Sequence, residues 1–103
     1  MASNVSLSII HLRPVPAQEA QVILGGQNCL IRVYHKSTGM FFDLLVNGEP
    51  IVLGRICQDR NRLVRYARLP FSGDLFFVDS QGEDDPFYTG LGDRFNLFYA
   101  AAP

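Results

Sequence analysis

Apolar and polar positions alternate along most of this chain in short runs, and no segment keeps a sustained helical period. Alternation of this kind is typical of strands that bury one face. Gly, Pro, Asn and Asp divide the runs, which favours an all-β domain. The pattern predicts seven strands, at 6–12, 19–25, 28–36, 40–47, 50–57, 74–79 and 94–100.

Three short segments between these runs carry the chemistry of tight turns. Gly25 and Gly26 can both take positive φ without a steric penalty, and Gly39 is expected to do so in the next turn. The pair Asn47–Gly48 is a strong two-residue hairpin signal. The three turns predict that the second to fifth strands form an antiparallel meander.

Several of the predicted strands are apolar on both faces. In 40–47 one face is wholly apolar, while the other face still carries Phe41 and Leu45 beside Asp43. One apolar face fills the core of a small antiparallel β-barrel or sandwich, and the second has to be covered by something else. Long loops of the same chain and a partner protein are the two alternatives. The apolar face of 40–47 consists of Met40, Phe42, Leu44 and Val46.

Two long connections, 58–72 and 80–93, carry opposite charges. Five arginines lie between positions 55 and 68, against the single acid Asp59. Six acids and no base lie between positions 74 and 93. Arginine without lysine suits carboxylate pairing and protein interfaces. The connections either neutralise each other within one chain or pair between neighbouring subunits.

Composition limits the classes of function. The 103 residues suit one domain, 1–103, and a net charge of −1 gives no general attraction to nucleic acid. No apolar run approaches the roughly 20 residues of a membrane-spanning helix. The first residues do not follow the pattern of a secretory signal. With only Cys29 and Cys57, two buried thiols are the preferred interpretation, and a bridge between them stays open.

The acidic stretch at 79–94 invites a test for chemistry. From Asp79 the glycine falls at the fourth position and Leu91 at the twelfth, which does not fit a helix-flanked calcium loop, although weak binding by its carboxylates stays open. His11 and His35 lack the spacing of a zinc site or a nucleophile–base pair. The chain is therefore predicted to be neither an enzyme nor a cofactor-binding protein.

The two stretches "VPAQEAQVILGGQNCLIRVYHKSTGMFFDLLVNG" and "GDLFFVDSQGEDDPFYTGLGDRFNLFYA" resemble the phage baseplate plug family over about residues 7–100. Ala20 departs slightly, since a larger apolar residue is expected there. The matching positions, in chain order, are Val15, Pro16, Gln18, Gly73, Leu75, Asp79, Gly82, Asp85–Pro86, Gly90, Leu97 and Tyr99.

The resemblance implies a structural virion protein of contractile-tailed phages and prophages, made in the host cytoplasm and placed in the tail baseplate. Its partners would be hub, tail-tube or other baseplate proteins, and a homo-oligomer within the assembly stays open. A small ligand- or carbohydrate-binding β-barrel is the alternative and would need a cavity. The residues predicted to form the assembly interface are Arg60, Arg62, Arg65, Asp84, Asp85, Phe87 and Tyr88.

Overall fold

The computed structural model describes residues 7–64 and 71–101. Seven strands are present, as predicted, and each lies within a few residues of its predicted position. One short 3₁₀ helix, Tyr88–Gly90, interrupts the last connection. The strands are β1 (Leu7–Ile10), β2 (Ala17–Leu24), β3 (Gln27–Lys36), β4 (Gly39–Val46), β5 (Glu49–Ile56), β6 (Asp74–Asp79) and β7 (Phe95–Ala100).

The predicted meander is confirmed, because one sheet has the order β2-β3-β4-β5 with antiparallel neighbours throughout. Gly25 and Gly26 form the first turn with φ of +56° and +76°. Asn47 and Gly48 form the third with φ of +52° and +84°, as a turn of twist-matched geometry requires. The middle turn differs slightly: Gly39 has positive φ but already pairs with Lys36, so Ser37 and Thr38 form the loop.

The remaining strands form a second antiparallel sheet of order β1-β7-β6. The two sheets are separate, so the fold is a sandwich and not a closed barrel. Inward-facing side chains of both sheets belong to one hydrophobic core. The predicted alternation sets this core, because period-two positions of a strand share a face. Its fully buried centre includes Phe42 and Leu44 of β4 and Leu75, Phe77 and Leu97 of the second sheet.

The outer face of the four-stranded sheet contains a buried carboxylate. Asp43 is only 8% exposed, although it points away from the core. Its Oδ1 accepts hydrogen bonds from the Tyr34 hydroxyl at 2.8 Å and from the Gly54 amide at 2.7 Å. The pairing of β4 with β5 is irregular on either side of Leu44. Asp43 therefore ties the irregular part of β5 to the sheet.

The outer surface keeps a number of exposed apolar side chains, whereas Phe41 and Leu45 on the outer face of β4 are half-buried. The exposed side chains belong to both sheets and to the last connection. In the described part of the chain, no helix is long and apolar enough to cross a membrane. The exposed apolar residues are Leu7, Ile9, Ile23, Leu53, Ile56 and Phe87.

Candidate functional site

The two long connections of opposite charge meet in the folded chain. We call residues 57–73, between β5 and β6, the first connection, and residues 80–94, between β6 and β7, the acidic loop. The structure describes the first connection at 57–64 and 71–73. Their meeting point is the end of β6, where Asp79 leaves the sheet and enters the acidic loop.

Asp79 is the centre of this region. Its side chain is fully buried, and each of its two carboxylate oxygens accepts two hydrogen bonds. Oδ1 accepts from Arg94 Nε at 2.8 Å and from the Gln81 amide at 2.9 Å. Oδ2 accepts from Arg94 Nη2 at 2.8 Å and from the Asp84 amide at 2.9 Å. A carboxylate with four donors is a structural anchor that folds the acidic loop back on itself.

The charge of Asp79 is fixed by these contacts. Hydrogen bonds from Arg94 hold the pKa of Asp79 well below its usual range, with the Gln81 and Asp84 amides adding to the effect while burial opposes it. The hydrogen bonds that Arg94 donates to Asp79 in turn raise the pKa of Arg94 above its usual value. A second carboxylate completes the cluster, because Arg94 Nη2 also donates to Asp84 Oδ2 at 2.7 Å. Asp79 is therefore ionised at any physiological pH and has no proton to transfer.

Asp59 connects the acidic loop to the first connection. Its Oδ1 accepts from the Asp79 amide at 2.8 Å, and its own amide donates to Asp85 Oδ1 at 3.0 Å. Arg60 pairs with Asp59 and reaches the Gly82 carbonyl at 3.2 Å. The two connections thus contact each other within one chain.

The predicted interface arginines occupy different positions around this contact. Arg60 is 52% exposed at its side chain and lies against the acidic loop. Arg62 is 66% exposed at its side chain, and its Nε lies 3.3 Å from Asp74 Oδ2 at the start of β6. Arg65 lies outside the described residues. Asp84 remains largely exposed, although Arg94 holds it.

The two predicted aromatic residues lie together against the end of β3. The rings of Phe87 and Tyr88 are 4.7 Å apart, and each lies 5.3 Å from the imidazole of His35. Phe87 remains 42% exposed, whereas Pro86 before it is buried and fixes the loop on the body of the protein. Phe87 is therefore an exposed aromatic ring on a segment of backbone that the buried Pro86 holds against the protein.

The carboxylates of the cluster are engaged in contacts within the chain. Within residues 7–64 and 71–101, no group of three or more His, Cys, Asp or Glu residues is arranged to hold a metal ion. An open depression of about 660 Å³ lies along the seam of the two connections, and its lining includes Arg60 and the three carboxylates of Asp59, Glu83 and Asp85. Asp59 and Asp85 in this depression already accept or donate hydrogen bonds within the seam.

Both cysteines are buried free thiols. Burial raises the pKa of Cys57 above its usual value, and burial also raises the pKa of Cys29, partly offset by a backbone hydrogen bond from Leu24. Thiols of this kind are core residues of low reactivity.

Sequence reasoning missed the residues that organise the site. Arg94 was assigned only to a strand, although it is the first base after six acids and so the obvious partner for one of them. From the sequence, Asp79 is considered as a calcium ligand and as a position that matches the family, and it is assigned no partner, although it ends an apolar strand where a carboxylate needs a buried partner. His35 is exposed and contacts the aromatic pair, a contact for which the sequence carries no signal.

Comparison with known proteins gives one family. The model of the family described as "Cyanophage baseplate Pam3 plug gp18" matches residues 7–102. The match includes both sheets, the first connection and the acidic loop. No curated protein matches the chain.

Proposed function

The chain belongs to the cyanophage baseplate plug family, and we propose that it is a structural component of a contractile phage or prophage tail baseplate. The observation that carries this proposal is the extent of the family match, which spans nearly the whole chain. A structural role also agrees with the site, because Asp79 is locked in four hydrogen bonds and is unsuited to acid–base chemistry. The protein would be made in the host cytoplasm and would act by assembly.

We assign the contact with hub, tail-tube or other baseplate proteins to the surface around the two connections. Phe87 is an exposed aromatic anchor, a residue type enriched in the energetic centres of interfaces. Arg60 and Arg62 of the first connection add exposed positive charge to this surface, while Asp84 supplies negative charge. A partner with the complementary arrangement would be steered by these charges and held by the aromatic contact.

A pull-down of the tagged protein with the products of neighbouring genes, at low and high salt, tests this proposal. Capture of a hub or tube protein is expected, with weaker capture at high salt and for Arg62→Glu combined with Arg65→Glu. Phe87→Glu should abolish capture, whereas the matched control Leu53→Glu, at another exposed apolar position, should not. Equal loss for Phe87→Glu and Leu53→Glu would reject this surface, and no capture at any salt would reject the baseplate role.

The ligand-binding alternative has less support. A small β-domain that binds a ligand between its sheets needs a cavity there. The space between these sheets is filled by Phe42, Phe77, Leu44, Leu75 and Leu97, none more than 1% exposed.

A further inference from the structure

The edges of the two sheets are protected to different degrees. An open strand edge offers unpaired N–H and C=O groups to any other strand, and proteins normally block it. The edge of β5 is blocked by Pro50, which has no N–H, and by the irregular pairing around Gly54, whose amide donates to Asp43. On β6 the first connection lies along the edge, with Arg60 N donating to the Phe77 carbonyl at 2.7 Å and Leu63 N to the Leu75 carbonyl at 2.8 Å. The edge of β1 is only four residues long.

The edge of β2 has none of these devices over its eight residues. His35 N donates to the Pro16 carbonyl across the β2–β3 pair, and this bond shows which backbone groups of β2 point towards β3. Even-numbered residues of β2 therefore bond to β3, and odd-numbered residues direct their backbone groups outward. No hydrogen bond within the described part of the chain reaches these outward groups, and all four residues are exposed: Ala17, Glu19, Gln21 and Ile23.

We propose that β2 pairs antiparallel with β2 of a second copy of this chain across a two-fold axis at Ala20. The two four-stranded sheets would then join into one continuous sheet. In this register Glu19 faces Gln21 of the other copy, and Ala17 faces Ile23. Every outward group finds a partner, giving roughly eight backbone hydrogen bonds. This inference does not rest on the baseplate partners proposed above.

The chemistry of β2 favours a second copy in this register. Glu19 is the only charged residue on the strand, and Arg32 already pairs with it at 2.7 Å. Opposite the amide of Gln21, the Glu19 carboxylate meets a hydrogen-bond donor. Moving the axis to Glu19 would oppose two carboxylates, which destabilises a strand pair. Moving it to Gln21 would place Glu19 opposite Ile23 and leave the carboxylate without a polar partner.

The remaining features also suit a symmetric contact. Shifting one β2 strand by a single residue relative to the other would place outward backbone N–H and C=O groups opposite inward ones, and the hydrogen-bond ladder would be lost. The axis itself lies at a small residue, Ala20, so the two backbones can approach without a clash. A net charge of −1 produces little repulsion between copies.

Sedimentation of the purified full chain over a range of concentrations tests the proposal. A monomer–dimer equilibrium is expected. Gln21→Pro removes one outward N–H from each copy without touching the β2–β3 ladder, so it should weaken dimerisation about tenfold or more. Gln21→Ala keeps the backbone donor and loses only the side-chain contact with Glu19, so it should weaken dimerisation much less than Gln21→Pro. A monomer at every concentration, or a dimer equally stable in Gln21→Pro, would overturn the proposal.

Cross-linking tests the register without relying on the proline variant. Ala20→Cys should form a disulfide-linked dimer under mild oxidation, because residues at the axis are directly opposite each other and the native thiols are buried. Leu53→Cys, at a more exposed position on β5, should not form one readily. Failure of Ala20→Cys to cross-link faster than Leu53→Cys would reject the pairing at this axis.

Discussion

Gly92 is the position where a single methyl group should have the largest local effect in the acidic loop. Its φ is +82°, and a Cβ built there would lie 2.2 Å from the carbonyl oxygen of Leu12. Gly48 provides a matched control, since its φ is +84° and its Cβ would meet nothing within 4 Å. Gly92→Ala and Gly48→Ala therefore carry the same backbone penalty and differ in the contact.

General costs of backbone strain and of overpacking set the expected size of both effects. An L-residue in the left-handed region costs roughly 1–2 kcal/mol, and the stiffer unfolded chain offsets roughly 0.4–1 kcal/mol of it. Gly48→Ala should thus lower the free energy of unfolding by about 1 kcal/mol. Gly92→Ala adds the cost of forcing Leu12 and the loop apart, typically about 1–3 kcal/mol, for a total of about 3 kcal/mol.

Thermal unfolding followed by circular dichroism measures the difference. In a domain of this size each kcal/mol lowers Tm by roughly 4–8 °C, so we expect a loss of about 5 °C for Gly48→Ala and about 15 °C for Gly92→Ala. Urea unfolding should give the same order of free energies. Equal losses for the two variants would refute the reasoning, because they would show that the contact with Leu12 does not constrain the loop.

Two further predictions concern buried polar groups. Because the pKa of folded Asp79 is depressed, its contribution to stability is present above the ordinary carboxyl pKa of about 3.9 and is lost as pH falls below it. Urea unfolding between pH 7 and pH 3 should show Asp79→Asn much less stable than the parent at neutral pH and closest to it at pH 3; a constant difference would contradict this. Tyr34→Phe should lower the free energy of unfolding by about 1 kcal/mol, since it removes the hydroxyl donor to Asp43. Burial, with Asp43, raises the pKa of Tyr34 to about 12, so the parent should lose this advantage only as pH rises from 10 towards 12, and an advantage already lost at pH 9 would contradict the assignment.

The strands could be predicted from the sequence because the signals for each strand and turn lie within a few neighbouring residues. The apolar face of β4 alternates without a break, and the Asn47–Gly48 pair fixes both the turn and the register of the hairpin. The order of β2 to β5 then follows from short loops alone. The second sheet could not be derived in this way, since β1 pairs with β7 across most of the chain and no local signal selects that partner.

The organisation of the site could not be predicted for a related reason. The excess of acids in the acidic loop is visible in the sequence, but which carboxylate becomes buried depends on where β6 ends in space. Asp79 and Asp84 carry the same charge, yet one is fully buried and the other is 75% exposed at its side chain. Arg94 selects Asp79 because both lie at the same end of the β6–β7 pair, where Asp79 is opposite Phe95.

Pairing within the chain changes what the acidic loop can offer to a partner. Asp79 pairs with Arg94, and the Asp85 carboxylate accepts from the Asp59 amide, so part of the loop's negative charge is engaged within the chain while Asp84 stays largely exposed. The loop is held in place by a buried carboxylate and by the close approach of Gly92 to Leu12. A rigid loop loses little conformational entropy on binding, so its exposed Phe87 can contribute most of its contact energy to affinity. We therefore expect the two connections to act as a preformed docking surface, in which the internal ion pairs set the shape and the exposed aromatic ring makes the contact.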